Sequence, residues 1–303
     1  MNCRLLYIIA LIALITQGLA SCTMCNRSGD FHIPEFGERD STELQIDESV
    51  MVRMVDNIGS PIEVASLMQA LELPFTQRYL AGTRNVSNFH TSHEKAFNLG
   101  VLGCDLGYLN MYGRVSLVLE YIAAIRTLAN GINVGQFFDF TTLRRLATNN
   151  ENVDSLVHIS QMSFNRIDRY LQQNNRGNLS VLMVTGVWIE GLYLTSQFYR
   201  ERPDERRLGE SIAEQKMMLM ELMILLNNFS RERYIANLLT ELETIKVLFD
   251  DIKITIEPGE PQMIEVDGML RIIQTDNSIV EYSDELMASI IDQIEIVRNK
   301  LIQ

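Results

Sequence analysis

Three carboxylates, a histidine pair, a run of thioethers and a stripe of small residues are the parts of this chain whose types and spacing could carry chemistry. Asp105 and Glu190 lie in otherwise apolar stretches and Glu120 flanks another. Two carboxylates across a cleft can serve as acid and base. The spacing of these three does not require any two to meet, so solvent-facing or salt-bridged carboxylates are the expectation. His90 and His93, with Glu94 beside the second, suit a metal site only if residues 90–93 are already helical. Thr91 or Ser92 reads as the helix cap, which leaves His90 outside, and no metal is expected. Met217, Met218, Met220 and Met223 could form a soft-metal patch, but thioethers on both faces of one helix read as adaptable core filler. Ala96, Gly100, Gly103 and Gly107 fall on one helix face. Each glycine costs about 1 kcal/mol relative to alanine, so close approach by another group is the natural compensation. A tightly packed helix is the expected neighbour; the alternative is a ligand in a pocket near Asp105, Tyr108 and Glu190, in a small-ligand binder or hydrolase. The chain carries no nucleophile elbow, phosphate loop, zinc-protease pair or dinucleotide fingerprint. Neither catalytic residues nor a cofactor are therefore assigned, and a non-enzymatic role is expected.

The thiol of Cys22 has the most specific setting. Arg4 is the only charged side chain before an unbroken apolar run from Leu5 to Ile15. A run of about a dozen residues fits the apolar region of a signal peptide and falls short of the roughly 20 needed to span a bilayer. Gln17 and Gly18 follow, and then Leu19, Ala20, Ser21 and Cys22. This tetrapeptide resembles the lipobox of bacterial lipoproteins in all four positions: small residues let an extended chain enter a peptidase, and the thiol takes a diacylglycerol. Residues 1–21 are thus expected to be a cleaved signal peptide, and the mature chain to be held to a membrane through lipid on Cys22. Several acyl chains, at about 0.8 kcal/mol per buried methylene, make such an anchor stable. No aspartate directly follows the cysteine and no acidic cluster comes after it. By resemblance to envelope lipoproteins, the expected place is the outer membrane, on its periplasmic face.

Composition narrows the partners. Cleavage would remove only Arg4 of the 26 basic side chains, leaving 25 against 39 acidic ones and a formal charge of −14. Such a field repels phosphate backbones, and no basic stripe offsets it, so nucleic acid is excluded as a partner. An apolar content of 47% is ample for a large core. Beside Cys22 the mature chain has only Cys25, in a polar leash, and Cys104, inside a helix, and no disulfide between them is expected.

The elements that must position these residues read as mainly α: an antiparallel helical bundle or helix-hairpin array, with a small antiparallel β-meander before the C-terminal helix. Residues 22–45 read as a lipid-tethered linker, with Gly29, Pro34 and Gly37 among polar side chains. Residues 46–251 form the helical domain. Its first firm start is Ser60-Pro61-Ile62-Glu63, ending before Pro74, and Thr91-Ser92-His93-Glu94 repeats the capping logic for a helix to about Tyr112. Further helices are predicted near 114–128, stopping at Asn130-Gly131, and near 133–147, 154–173 and 179–200. Pro203 starts one to about Asn227 and Ser230 caps another to about Phe249. A tetratricopeptide reading is suggested by Leu99-Gly100 and Leu106-Gly107, but no 34-residue period is sustained. Residues 252–282 alternate as strands, with Asp267-Gly268 as the favoured two-residue hairpin turn. Residues 283–303 are predicted as an amphipathic helix packing on the meander, with Leu286, Ile290, Ile294, Val297 and Leu301 on one side.

Two short patterns, Asp40-Ser41-Thr42 and Asp154-Ser155-Leu156, resemble acceptors for O-linked sugars in Bacteroidota-type envelope proteins, and Ser41, in the linker, is the better candidate. Ser60-Pro61-Ile62-Glu63-Val64-Ala65-Ser66, Lys95-Ala96-Phe97-Asn98-Leu99-Gly100-Val101, Asp105-Leu106-Gly107-Tyr108 and Met111-Tyr112 together resemble a group of uncharacterised helical envelope lipoproteins of Bacteroidota. The likeness covers residues 55–130 and implies a Gram-negative envelope setting, with no activity attached. The expected function is that of a scaffold or accessory lipoprotein for an outer-membrane or periplasmic protein partner.

Overall fold

The computed structural model describes residues 67–147, 153–257, 259, 261–266, 269–274 and 277–302. Its contacts divide the chain into Met1–Leu44 and Gln45–Gln303, and every described residue belongs to the second unit. The protein is mainly α, with eight numbered helices among the described residues: α1 Ser92–Met111, α2 Val115–Gly131, α3 Phe140–Ala147, α4 Val153–Gln173, α5 Gly177–Glu201, α6 Arg206–Asn227, α7 Arg233–Asp250 and, after a short β segment, α8 Asp284–Leu301.

Local chemistry accounts for where these helices begin and end. Thr91 Oγ1 accepts from Glu94 N at 3.1 Å while the Glu94 carboxylate accepts from Thr91 N at 2.8 Å, a complete capping box at the start of α1. Ser283 Oγ accepts from Leu286 N at 3.2 Å at the start of α8, whose acidic first turn and basic last turn both suit the helix dipole. Three expected boundaries move. The helix predicted over 133–147 begins only at Phe140, because Asn133 adopts φ +57° and Asp139 Oδ1 takes Thr142 N at 3.0 Å. Pro203 lies in a turn ahead of α6, where Glu205 is the cap. The cap of α7 is Glu232 rather than Ser230, and Glu232 spends its carboxylate on other helices.

α5 lies at the centre. It is long and apolar enough to cross a membrane, yet 89% of that apolar stretch is buried within the protein, as befits a core helix that is apolar all round. α1, α4, α6 and α8 pack around it, α2 and α3 flank α1 and α4, and α7 bridges α6 and α8. The contacts of Gly100 with Met183 and Val187 and of Tyr108 with Phe198 show that α1 and α5 run parallel.

The β segment comprises β1 Lys253–Glu257, β2 Pro261–Val266, β3 Met269–Gln274 and β4 Asn277–Glu281. It is antiparallel, but its strands pair two by two in nested order, β1 with β4 and β2 with β3, rather than side by side. Glu257 stands opposite Asn277 and Pro261 opposite Gln274. Val266 opposite Met269 leaves Asp267-Gly268 as the connection, and those two lie outside the described residues. The ribbon meets the body at α6, where Ser278 Oγ donates to Glu214. α8 packs chiefly on α5 and α7, not on the strands as expected. Its buried face, Met287, Ile290, Ile291, Ile294 and Val297, is completed by Arg298, whose charge is held by α5.

Candidate functional site

The small-residue face of α1 is the starting point. A Cβ on Gly100 would overlap the Met183 carbonyl and lie 2.9 Å from Val187 N. A Cβ on Gly186 of α5 would likewise overlap Phe97 O and lie 3.1 Å from Val101 N. The two backbones thus touch through reciprocal glycines. Gly103 meets the ring of Phe164 on α4, Ala96 is buried, and Gly107 is half-buried. Asn110, one turn on, is buried, and neither atom of its amide has a partner among the described residues.

That contact brings the carboxylates together. Asp105 lies five residues beyond Gly100, and Glu190 four beyond Gly186, so on parallel helices they stand nearly level, about 6 to 7.5 Å past the crossing. Both are 0% exposed. Arg298 of α8, 5% exposed, grips Glu190 with a two-pronged fork, Nε to Oε2 at 2.8 Å and Nη2 to Oε1 at 2.5 Å. Its Nη1 donates to Asn299 Oδ1 at 3.1 Å and its Nη2 also to Tyr79 O at 3.3 Å. The guanidinium carbon sits 4.3 Å from the centre of the Tyr193 ring, a cation–π contact.

The same groups fasten an irregular segment. Along α1, Asp105 Oδ2 accepts from Ala81 N at 2.9 Å, Tyr108 Oη from Thr76 N at 3.0 Å, and the Tyr112 hydroxyl donates to Leu73 O at 2.8 Å. Tyr121 of α2 donates to Ala81 O, and Arg298 holds Tyr79 O. Residues 73–81 are therefore strapped across α1 by side chains that satisfy backbone groups with no helix or sheet of their own.

Burial shapes the electrostatics. It pushes the Asp105 carboxyl well above the usual carboxylate range, and the charge of Glu190 adds to that rise while Arg298 opposes it. Burial pushes the Cys104 thiol up as well, and the neighbouring Asp105 and Glu190 act in the same sense. Burial acts to lower the guanidinium of Arg298, but Glu190 outweighs it and holds the group more firmly protonated. Tyr108 is pushed up to about 12, chiefly by burial. A buried acid, a carboxylate and a guanidinium in this arrangement can share a proton, but the two carboxyl groups are 0% exposed and closed to a solute in water.

Asp105 and Glu190 thus meet, whereas Glu120 is exposed and accepts from Thr83 Oγ1 at the surface. Arg298 was not singled out from the sequence. Its signal was available, because position 298 is four after Ile294 and three before Leu301, on the apolar side of α8. His90 stands outside α1, while His93 Nε2 lies 2.5 Å from Glu232 Oε2 and its ring stacks on Tyr234 at 5.5 Å. Asn178 Nδ2 also donates to Glu232, so the first turns of α1, α5 and α7 share one carboxylate. Among the described residues no group of three or more His, Cys, Asp or Glu is placed to hold a metal. Met217 and Met220 are 52% and 41% exposed, while Met218 and Met223 pack on the core. Cys104 is a buried free thiol. Leu19, Ala20, Ser21, Cys22, Cys25 and Ser41 lie outside the described residues, and Ser155 is an exposed position on α4. Against known proteins, the chain matches no family model, no curated protein and no solved structure.

Proposed function

We propose that this chain is a membrane-tethered envelope lipoprotein that acts as a non-enzymatic scaffold or accessory subunit for an outer-membrane or periplasmic protein. The observation that carries the reading is the apolar run Leu5–Ile15 followed by Leu19-Ala20-Ser21-Cys22, an order of elements that suits export and lipidation at one thiol. The interior supports the non-enzymatic half. Asp105, Glu190 and Arg298 are buried and committed to one another or to backbone groups, and Gly100 and Gly103 are filled by Met183 and Phe164. A pocket along that face, as the ligand-binding or hydrolase alternative requires, has no room at those two glycines.

The test is expression of parent and Cys22→Ala in a Gram-negative host, with membrane fractionation, labelled fatty acid and external protease. The parent should take up label, sediment with outer membrane and resist protease on intact cells; Cys22→Ala should lose label and become soluble. Full membrane retention of unlabelled Cys22→Ala refutes the anchor, and rapid digestion on intact cells refutes the periplasmic face. Co-purification of the parent from detergent-solubilised membranes should bring down one envelope protein in stoichiometric amount; an unaccompanied monomer refutes the scaffold role.

A further inference from the structure

Three ionisable groups from three helices are shut into one part of the core: Asp105 from α1, Glu190 from α5 and Arg298 from α8. Arg298 directs its fork at Glu190 and its remaining contacts at Asn299 and Tyr79 O. Asp105 receives one neutral donor, Ala81 N, on Oδ2, and its Oδ1 has no donor among the described residues. An ionised Asp105 would leave a net negative charge in the sealed core, beside a second carboxylate and short of hydrogen bonds. A protonated Asp105 removes both difficulties. Its Oδ1–H becomes a donor, Glu190 is the acceptor within reach, and the three groups then sum to zero charge.

We infer that Asp105 carries a proton in the folded protein and donates it to Glu190, and that the completed cluster is a latch fastening α8 and residues 79–81 to α1 and α5, which loosens when the proton is lost. Of the groups around Asp105, Arg298 and the Ala81 N–H favour its charged form, while burial and the charge of Glu190 outweigh them. α1 itself offers Cys104 and Tyr108, whose burial disfavours charge. α2 offers Tyr121, occupied with Ala81 O. α5 offers Glu190 and Tyr193, and α8 offers Arg298, with Glu295 beyond Tyr193 at the edge. The buried Asp168 of α4 bonds to Ser180, ten residues before Glu190 on α5 and so about 15 Å away along that helix.

The sign of the pH dependence follows. Unfolded Asp105 ionises near its ordinary value of about 3.9, whereas the folded group keeps its proton far above it. Above about pH 4 the folded state therefore binds one proton more than the unfolded state. From this group the unfolding constant rises about tenfold per pH unit until the folded carboxyl itself ionises. Cys104, whose thiol burial also pushes up, adds a slope of its own at higher pH, common to parent and variant.

The experiment compares the full chain and its Asp105→Asn variant in non-ionic detergent, by urea unfolding at pH 6, 7 and 8. Asparagine keeps an acceptor for Ala81 N and a donor for Glu190. The parent should lose stability relative to Asp105→Asn by about tenfold in unfolding constant per pH unit, and amides of α8 and residues 79–81 should exchange faster in the parent at pH 8. Parallel pH profiles, or a variant less stable at every pH, overturn the inference. Infrared spectroscopy of the parent keeps it falsifiable if the variant does not fold. A protonated-carboxyl band at pH 7 is expected, and its absence overturns the inference without any variant.

Discussion

Replacing Arg298 by methionine puts a number on the buried cluster. Methionine keeps much of the length and volume, so the main loss is charge and hydrogen bonding rather than packing. Two bonds to Glu190 at 2.8 and 2.5 Å disappear, together with the 3.3 Å bond to Tyr79 O and the stacking on Tyr193. Glu190, 0% exposed, is left as an uncompensated buried charge. Breaking a buried pair by removing one partner costs about 3 to 5 kcal/mol. For a domain of this size that lowers the melting temperature by about 10 °C. Adding Glu190→Leu to the same chain removes the orphaned charge and should restore most of the stability, because a buried pair replaced by apolar residues is often neutral or better. Urea unfolding of the four members of this cycle at pH 6 and pH 8 gives the coupling energy. A loss below about 1 kcal/mol for Arg298→Met, or a double variant as unstable as the single, would refute the claim that charge compensation holds α8 to α5.

Two further substitutions probe the helix face beside the cluster. Gly100→Leu meets backbone atoms of Met183 and Val187 that cannot rotate away, so its cost should reach or exceed the usual 1 to 3 kcal/mol of overpacking, roughly, and thermal melting should show a clear fall. Gly107→Leu, at a half-buried position, should cost less, and an unchanged melting temperature for Gly100→Leu would refute helix packing as the reason for this stripe. Asn110→Leu should raise stability by about 1 to 2 kcal/mol, since it removes a buried amide without partners while keeping the volume; a destabilised variant would show that the amide is satisfied.

Much of the helical layout was legible in the residues themselves. Thr91 with Glu94, and Ser283 with Leu286, cap their helices as their types and positions predict, because a capping bond involves only neighbours three residues apart. The apolar spacing along α8 and the alternation of Ile252, Ile254 and Ile256 are equally local. Where expectation and structure part, the deciding partner is distant in the chain. Glu232, not Ser230, stands at the N-cap position of α7, and its carboxylate holds His93 and Asn178 from two other helices instead of its own helix's N–H groups. β1 pairs with β4, because the Val266–Met269 register carries the chain back along its own path.

The candidate site divides along the same line. Residue types alone mark Asp105 and Glu190 as anomalous in apolar stretches, and mark Gly100 as a place where something must come close. That the close neighbour is Gly186, that parallel helices then bring the two carboxylates level, and that Arg298 arrives from 108 residues beyond Glu190 to pair with it follows only from the packing of α1, α5 and α8. A helix presents its own faces by a period its sequence reveals, but which face meets which is set by the summed burial of the whole core. Charges are tolerated inside that core only as a compensated set, so the identity of the set is a property of the tertiary structure and not of any one segment.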